Sequence, residues 1–183
     1  MTKIIKFIII SALLWATQAQ AGPLFEAIEK GDTAEFSRLL ENGADINERD
    51  EEGNTLLHHF AYWGQTETVT ILLKIGVDSE ARNENGATPL HIAALQGHSE
   101  AITTLLDAGA GIDTHGRFGH TPLHAAALGG HSEAITILLK AGADARLLAF
   151  GFAALDMIEE DSPPYKSPIW WRLRDAQFNG PQK

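Results

Sequence analysis

Glycines and leucines recur every 33 residues along this chain, and that period constrains the fold more than any other property. Leu24, Leu57, Leu90 and Leu123 form one ladder. Gly31, Gly64, Gly97 and Gly130 form a second, and Gly43, Gly76, Gly109 and Gly142 a third. Two consecutive stretches nearly spell one another: GATPLHIAALQGHSEAITTLLDAGA from Gly86 and GHTPLHAAALGGHSEAITILLKAGA from Gly119. A fixed period of this length means stacked supersecondary units. Each unit is too small to bury its apolar face alone, and each covers the next.

Each unit reads as two short helices. Thr88-Pro89 and Thr121-Pro122 open the first. The threonine hydroxyl suits a helix N-cap, and proline in the first turn forfeits no needed N–H. Small residues follow (Ala93-Ala94, Ala126-Ala127), so a neighbouring helix can come close. Gly97 or Gly130 ends this helix, and a second starts at once, with Ile102, Leu105 and Leu106 forming a stripe at helical spacing. Asp32 and Glu35 match a D-x-x-E capping box in the first unit. Gly109 and Gly142 suit a left-handed helix stop.

A 33-residue unit reading T-P-L-H-x-A-A, then G-H, then L-L-x-x-G-A resembles the ankyrin repeat. The resemblance implies an all-α solenoid of antiparallel helix pairs, with hairpin-like fingers projecting from one edge. It spans residues 22–162, in units of about 22–52, 53–85, 86–118, 119–150 and a partial 151–162. The first unit lacks the threonine and reads as a cap. In the second, Leu56 replaces proline and Phe60 replaces alanine. In the last, Asp156 stands where the motif has histidine. The pattern ends at Pro163-Pro164, and residues 163–183 read as a capping helix, opened by Ser167-Pro168, and a tail.

Residues 1–21 read differently. Lys3 and Lys6 make a positive start, Phe7 to Trp15 an apolar core, and Ala19-Gln20-Ala21 a small-x-small cleavage site. The expectation is a cleavable export signal, a mature start at Gly22 and a periplasmic or secreted location. The apolar run from Ile4 to Trp15 is too short to span a bilayer core of ~30 Å. An N-terminal anchor is the competing reading. The chain has no cysteine, so stability rests on packing even in an oxidising compartment.

Cleavage removes two lysines and no acid, leaving 12 Lys+Arg against 24 Asp+Glu, a formal charge of −12. That balance disfavours nucleic acid and anionic membrane surfaces, both of which recruit basic patches. A neutral or basic protein is the expected partner, bound by a monomer.

The eight histidines invite a metal or haem. For His58, His91 and His124, in the T-P-L-H position, the resemblance implies instead a ring that ties adjacent units. His98 and His131 fall at the junction before the second helix. His115 and His120 share the loop HGRFGH, but two ligands without a third do not make a metal site. His59 and Tyr62, one helical turn apart, are the residues a haem carrier would use. No nucleophile elbow, H-E-x-x-H pair or phosphate-cradling loop occurs, so neither an enzyme nor a cofactor is expected.

The resemblance places the first helix of each unit on a concave face. Its non-core positions are Glu26, Glu29 and Lys30; His59, Tyr62 and Trp63; Ile92, Leu95 and Gln96; and Ala125 and Leu128. An acidic entrance and an apolar, aromatic middle form the composition of a binding surface. The finger residues His115, Arg117 and Phe118 come next as candidates. The last finger, Leu147 to Phe152, is unusually apolar and is expected to fold under the C-terminal helix, where Trp170 and Trp171 divide between core and surface. Exported bacterial members of the resembled family are associated with support of a periplasmic catalase under peroxide stress, or with neutralising a delivered toxin.

Overall fold

Helices of seven to ten residues are marginal in isolation, so this chain's repeats must be held by what they stack against. The computed structural model describes residues 22–30, 32–149, 151–158 and 167–179. The expected signal segment, Gly31, Phe150 and Pro163-Pro164 lie outside them. Among the described residues nine α-helices are present: α1 Pro23–Glu29, α2 Thr33–Glu41, α3 Leu56–Tyr62, α4 Thr66–Lys74, α5 Pro89–Gln96, α6 Ser99–Asp107, α7 Pro122–Leu128, α8 Ser132–Ala141 and α9 Pro168–Asn179. Residues Arg117–Gly119 and Ala154–Met157 form 3₁₀ turns.

The helices make two layers. Helix α5 packs on α3 and α7, and α6 packs on α4 and α8, so first helices touch first helices and second touch second. Leu24, Leu57, Leu90 and Leu123 are at most 1% exposed. Burying one such side chain stabilises the fold by about 2 kcal/mol. Ala93, Ala94, Ala126 and Ala127 are buried between the layers, where a larger side chain would push neighbouring units apart.

Two glycines show why the period is so strict. Gly64 and Gly97 adopt φ of +66° and +75°. A Cβ on Gly64 would stand 2.5 Å from the His98 ring, and one on Gly97 would stand 2.4 Å from the His131 ring. The histidine that starts α6 or α8 thus occupies the space a side chain would fill one unit earlier. His98 Nε2 also donates to the Tyr62 carbonyl at 2.9 Å.

The capping residues depart from expectation in instructive ways. Asp32 accepts from the Glu35 amide at 2.9 Å, but Glu35 does not reciprocate. The Asp32 amide is already bonded to the Ala27 carbonyl, and the Glu35 carboxylate pairs with Arg38. The first helix, α1, is capped from a distance: Glu48 accepts from the Leu24 and Phe25 amides at 2.8 and 3.1 Å.

At the other end, α9 packs on α8 and on the last 3₁₀ turn, burying Ile169 and Leu173. Its Trp170 is half-buried, while Trp171 is 43% exposed with the Arg174 guanidinium 4.1 Å from its ring centroid. The last finger is a two-stranded antiparallel hairpin, β1 Leu148–Ala149 against β2 Phe152–Ala153. The expectation that it folds under the terminal helix does not hold for Leu148 and Phe152, each 57% exposed. Of the four strand residues, the small Ala149 and Ala153 are the buried pair.

Candidate binding face

The histidines of the T-P-L-H positions are structural. His58, His91 and His124 are at most 4% exposed. In each, Nδ1 accepts the N-cap threonine's own amide, at 3.1, 3.2 and 3.3 Å for Thr55, Thr88 and Thr121. The threonine hydroxyls lie 2.8–2.9 Å from the same nitrogens. The ring thus supplies the reciprocal half of a capping box at all three sites, and the Thr121 hydroxyl receives the His124 amide at 3.5 Å. Nε2 then donates to a carbonyl of the next unit: Ala87 at 3.0 Å, His120 at 3.0 Å and Phe152 at 3.2 Å. This pattern fixes the neutral ring with its proton on Nε2. Burial pushes His58 and His91 down to about 4, and lowers His124.

Asp156 completes the series. Its carboxylate accepts the Ala153 amide at 2.8 Å, taking over the acceptor half of the histidine's work. A carboxylate offers no donor for a following finger, and the repeat pattern stops here.

Positions 33 residues apart form stripes along the first-helix face. One contains Glu29, Tyr62, Leu95 and Leu128. Tyr62 is 43% and Leu128 56% exposed, with Leu95 half-buried between their registers. The Glu29 side chain lies outside the described residues. A second stripe contains Glu26, His59, Ile92 and Ala125, and a third Lys30, Trp63 and Gln96.

Several of these residues are less open than the sequence suggested. Ala125 is 7% exposed and belongs to the core, because α7 is covered on both sides. Trp63 is half-buried, with its ring edge-on to Phe60 at 5.6 Å and tilted against His59 at 5.5 Å. Ile92 and Leu95 also pack against the core, and Gln96 is half-buried. His59 is engaged: its Nε2 is 2.7 Å from Asp50 Oδ2, and its ring is edge-on to Phe25 at 5.1 Å. Asp50 is lowered on balance, its desolvation outweighed by hydrogen bonds from His59 and Asn54.

In the fingers, His115, Arg117 and Phe118 are all exposed. His115 Nδ1 is 3.3 Å from the Gly119 carbonyl, and the Arg117 guanidinium is 5.0 Å from the Phe118 ring centroid. Among the described residues no three His, Cys, Asp or Glu side chains come together as metal ligands, and no helix is long and apolar enough to cross a membrane.

Sequence reasoning passed over a second set of ties. Asn47, Glu80 and Asp113, again 33 residues apart, each accept an amide of the following unit, from Asp78, Gly111 and Asp144 at 3.4, 2.8 and 3.0 Å. Arg49 and Arg82 each bridge a carbonyl of their own finger and one of the next. The signal was present as polar residues on the same period, unlike in identity but alike in chemistry.

Stacked helix pairs, a histidine tie between units and a first-helix face carrying exposed apolar residues define a protein-recognition solenoid. The comparisons with known sequences agree. A model of ankyrin repeats in three copies matches residues 24–115, and a single ankyrin-repeat model matches residues 118–149. The chain belongs to the ankyrin-repeat family. Two relatives are similar over one stretch: the Arf-GAP with coiled-coil, ANK repeat and PH domain-containing protein 2 of Rattus norvegicus and that of Mus musculus. Each is 39% identical over 59 residues, which is 31% of this chain and 8% of the relative. The likeness therefore reaches a small part of those longer proteins. Ankyrin repeats serve protein–protein interaction, and neither matched family model is a catalytic one.

Proposed function

We propose that this chain is exported, matures at Gly22, and works as a monomer that binds one protein through its first-helix face. The carrying observation is the Tyr62–Leu95–Leu128 stripe, which keeps large apolar side chains exposed on two of three successive units. A surface preformed on stacked helices loses little entropy when a partner docks. The mature charge of −12 favours a partner that is neutral or basic. Support of a periplasmic enzyme such as catalase is the role this reading favours, by analogy with exported ankyrin proteins. A delivered toxin is the other partner type that analogy offers, and the captured protein's identity separates the two.

N-terminal sequencing of the protein recovered from outside the cytoplasm tests the export step. The expected first residue is Gly22, and a retained Met1 in the membrane fraction contradicts it. For the binding face, the partner is captured from extracytoplasmic extract and the complex is footprinted with hydroxyl radicals. Tyr62 and Leu128 are expected to become protected, while Ile75, 59% exposed at the end of α4, stays reactive. Protection that spares Tyr62 and Leu128 rejects the stripe as the site.

A further inference from the structure

The fingers differ from one another in a way the repeat does not require. In the first two, an Asx turn shapes the loop: Asp50 Oδ1 accepts from the Glu52 and Asn54 amides, and Asn83 Oδ1 from the Asn85 and Ala87 amides. The third finger has Gly116 at that position and makes a 3₁₀ turn instead. Within it Phe118 takes φ of +63°, the single non-glycine residue at positive φ among the described residues. A left-handed aromatic residue is strained, and its ring, 57% exposed, recovers little by burial.

That ring is not isolated. A Cβ on Gly119 would stand 3.1 Å from the Leu148 carbonyl oxygen, so the third and fourth fingers abut. Leu148 and Phe152, each 57% exposed, add two more large apolar side chains there. Arg117 supplies a cation beside the Phe118 ring. The first two fingers are opposite in character, with Glu51, Glu52 and Glu84 all exposed.

We infer that the finger edge receives an extended segment of the partner protein carrying two chemistries. Basic residues lie over the acidic first and second fingers. An apolar residue next to a carboxylate lies over Phe118, Leu148 and Arg117. Adjacent helices stand roughly 10 Å apart, so the two zones are separated by roughly 20 Å. That is about six residues of extended chain. The inference rests on the reading of this chain as a protein-binding module, and it concerns a surface apart from the Tyr62 stripe.

The test uses the purified protein and a fluorescent peptide with a lysine run, a Gly/Ser spacer of about six residues and a Phe-Leu-Glu end. Anisotropy gives the affinity, and a scrambled peptide of the same composition is the comparison. Phe118→Asn is expected to weaken binding about tenfold or more, with a melting temperature unchanged or raised because asparagine tolerates the left-handed region. Ile75→Asn is expected to bind as the parent does. Arg117→Glu, on an exposed side chain, covers the case in which Phe118→Asn disturbs the finger: it is expected to lose the peptide while melting normally. Equal binding of the scrambled peptide, or unchanged binding by Arg117→Glu, overturns the inference. The peptide reads only the finger edge and the footprint only the stripe, so either can fail without the other.

Discussion

Lowering the pH from 7 to 4 is expected to destabilise this protein steeply, well before its carboxylates are neutralised. The cause is the pair of buried rings, His58 and His91, which fold neutral. In the unfolded chain each titrates near 6.5; in the fold burial holds each down to about 4. Between those values the unfolded state binds protons that the native state refuses, so unfolding free energy rises with pH across that window. The stabilisation is complete above about 6.5 and is lost as the pH falls toward about 4. Each ring contributes on the order of 3 kcal/mol over the whole span, and the two together give a maximum slope of about 2.7 kcal/mol per pH unit.

The geometry explains why the native state refuses the proton. A second proton would sit on Nδ1, which already accepts the threonine amide, while Nε2–H is committed to the next unit's carbonyl. Urea unfolding at pH 7, 6, 5 and 4 measures the effect. Replacing His91 with glutamine should lower stability at pH 7 and remove roughly half of the slope that His58 and His91 supply. Stability that stays flat between pH 7 and pH 5 contradicts the assignment of these rings as neutral ties.

The same rings show how far the sequence could be read. Their 33-residue spacing with threonine was visible, and so was the pairing of helices, because leucine and glycine ladders encode packing on a fixed period. The ties through Asn47, Glu80 and Asp113 were not legible, since one geometric role is filled by three residue types. Glu48 was hidden for another reason: its partners, Leu24 and Phe25, lie more than twenty residues away in sequence. Nothing local marks a glutamate as the cap of a distant helix.

The proposed binding face was legible as a set of positions but not as a degree of exposure. Tyr62 and Trp63 are neighbours, yet a helix turns ~100° per residue, so one ring stands outward while the other leans on Phe60 and His59. Ala125 reads as a surface position by repeat register, but it is buried by its own neighbours. Phe118 could be placed in a finger from sequence, whereas its left-handed backbone appears only in three dimensions.

This difference in exposure decides which substitution speaks to function. Trp63→Ala would remove packing as well as contact surface, because the ring is half-buried. Tyr62→Ala separates the two effects. Its side chain is 43% exposed, and its tie to the next unit is made by the backbone carbonyl, which the substitution leaves in place. Binding energy at protein interfaces concentrates in a few large side chains, tyrosine prominent among them. The decisive measurement is the dissociation constant of the captured partner for the parent and for Tyr62→Ala, with thermal unfolding of both recorded alongside. The expected result is a loss of about 2 kcal/mol, roughly thirtyfold in affinity, with the melting temperature nearly unchanged. Parent-like affinity in a Tyr62→Ala protein that folds normally would contradict the claim that this face binds the partner.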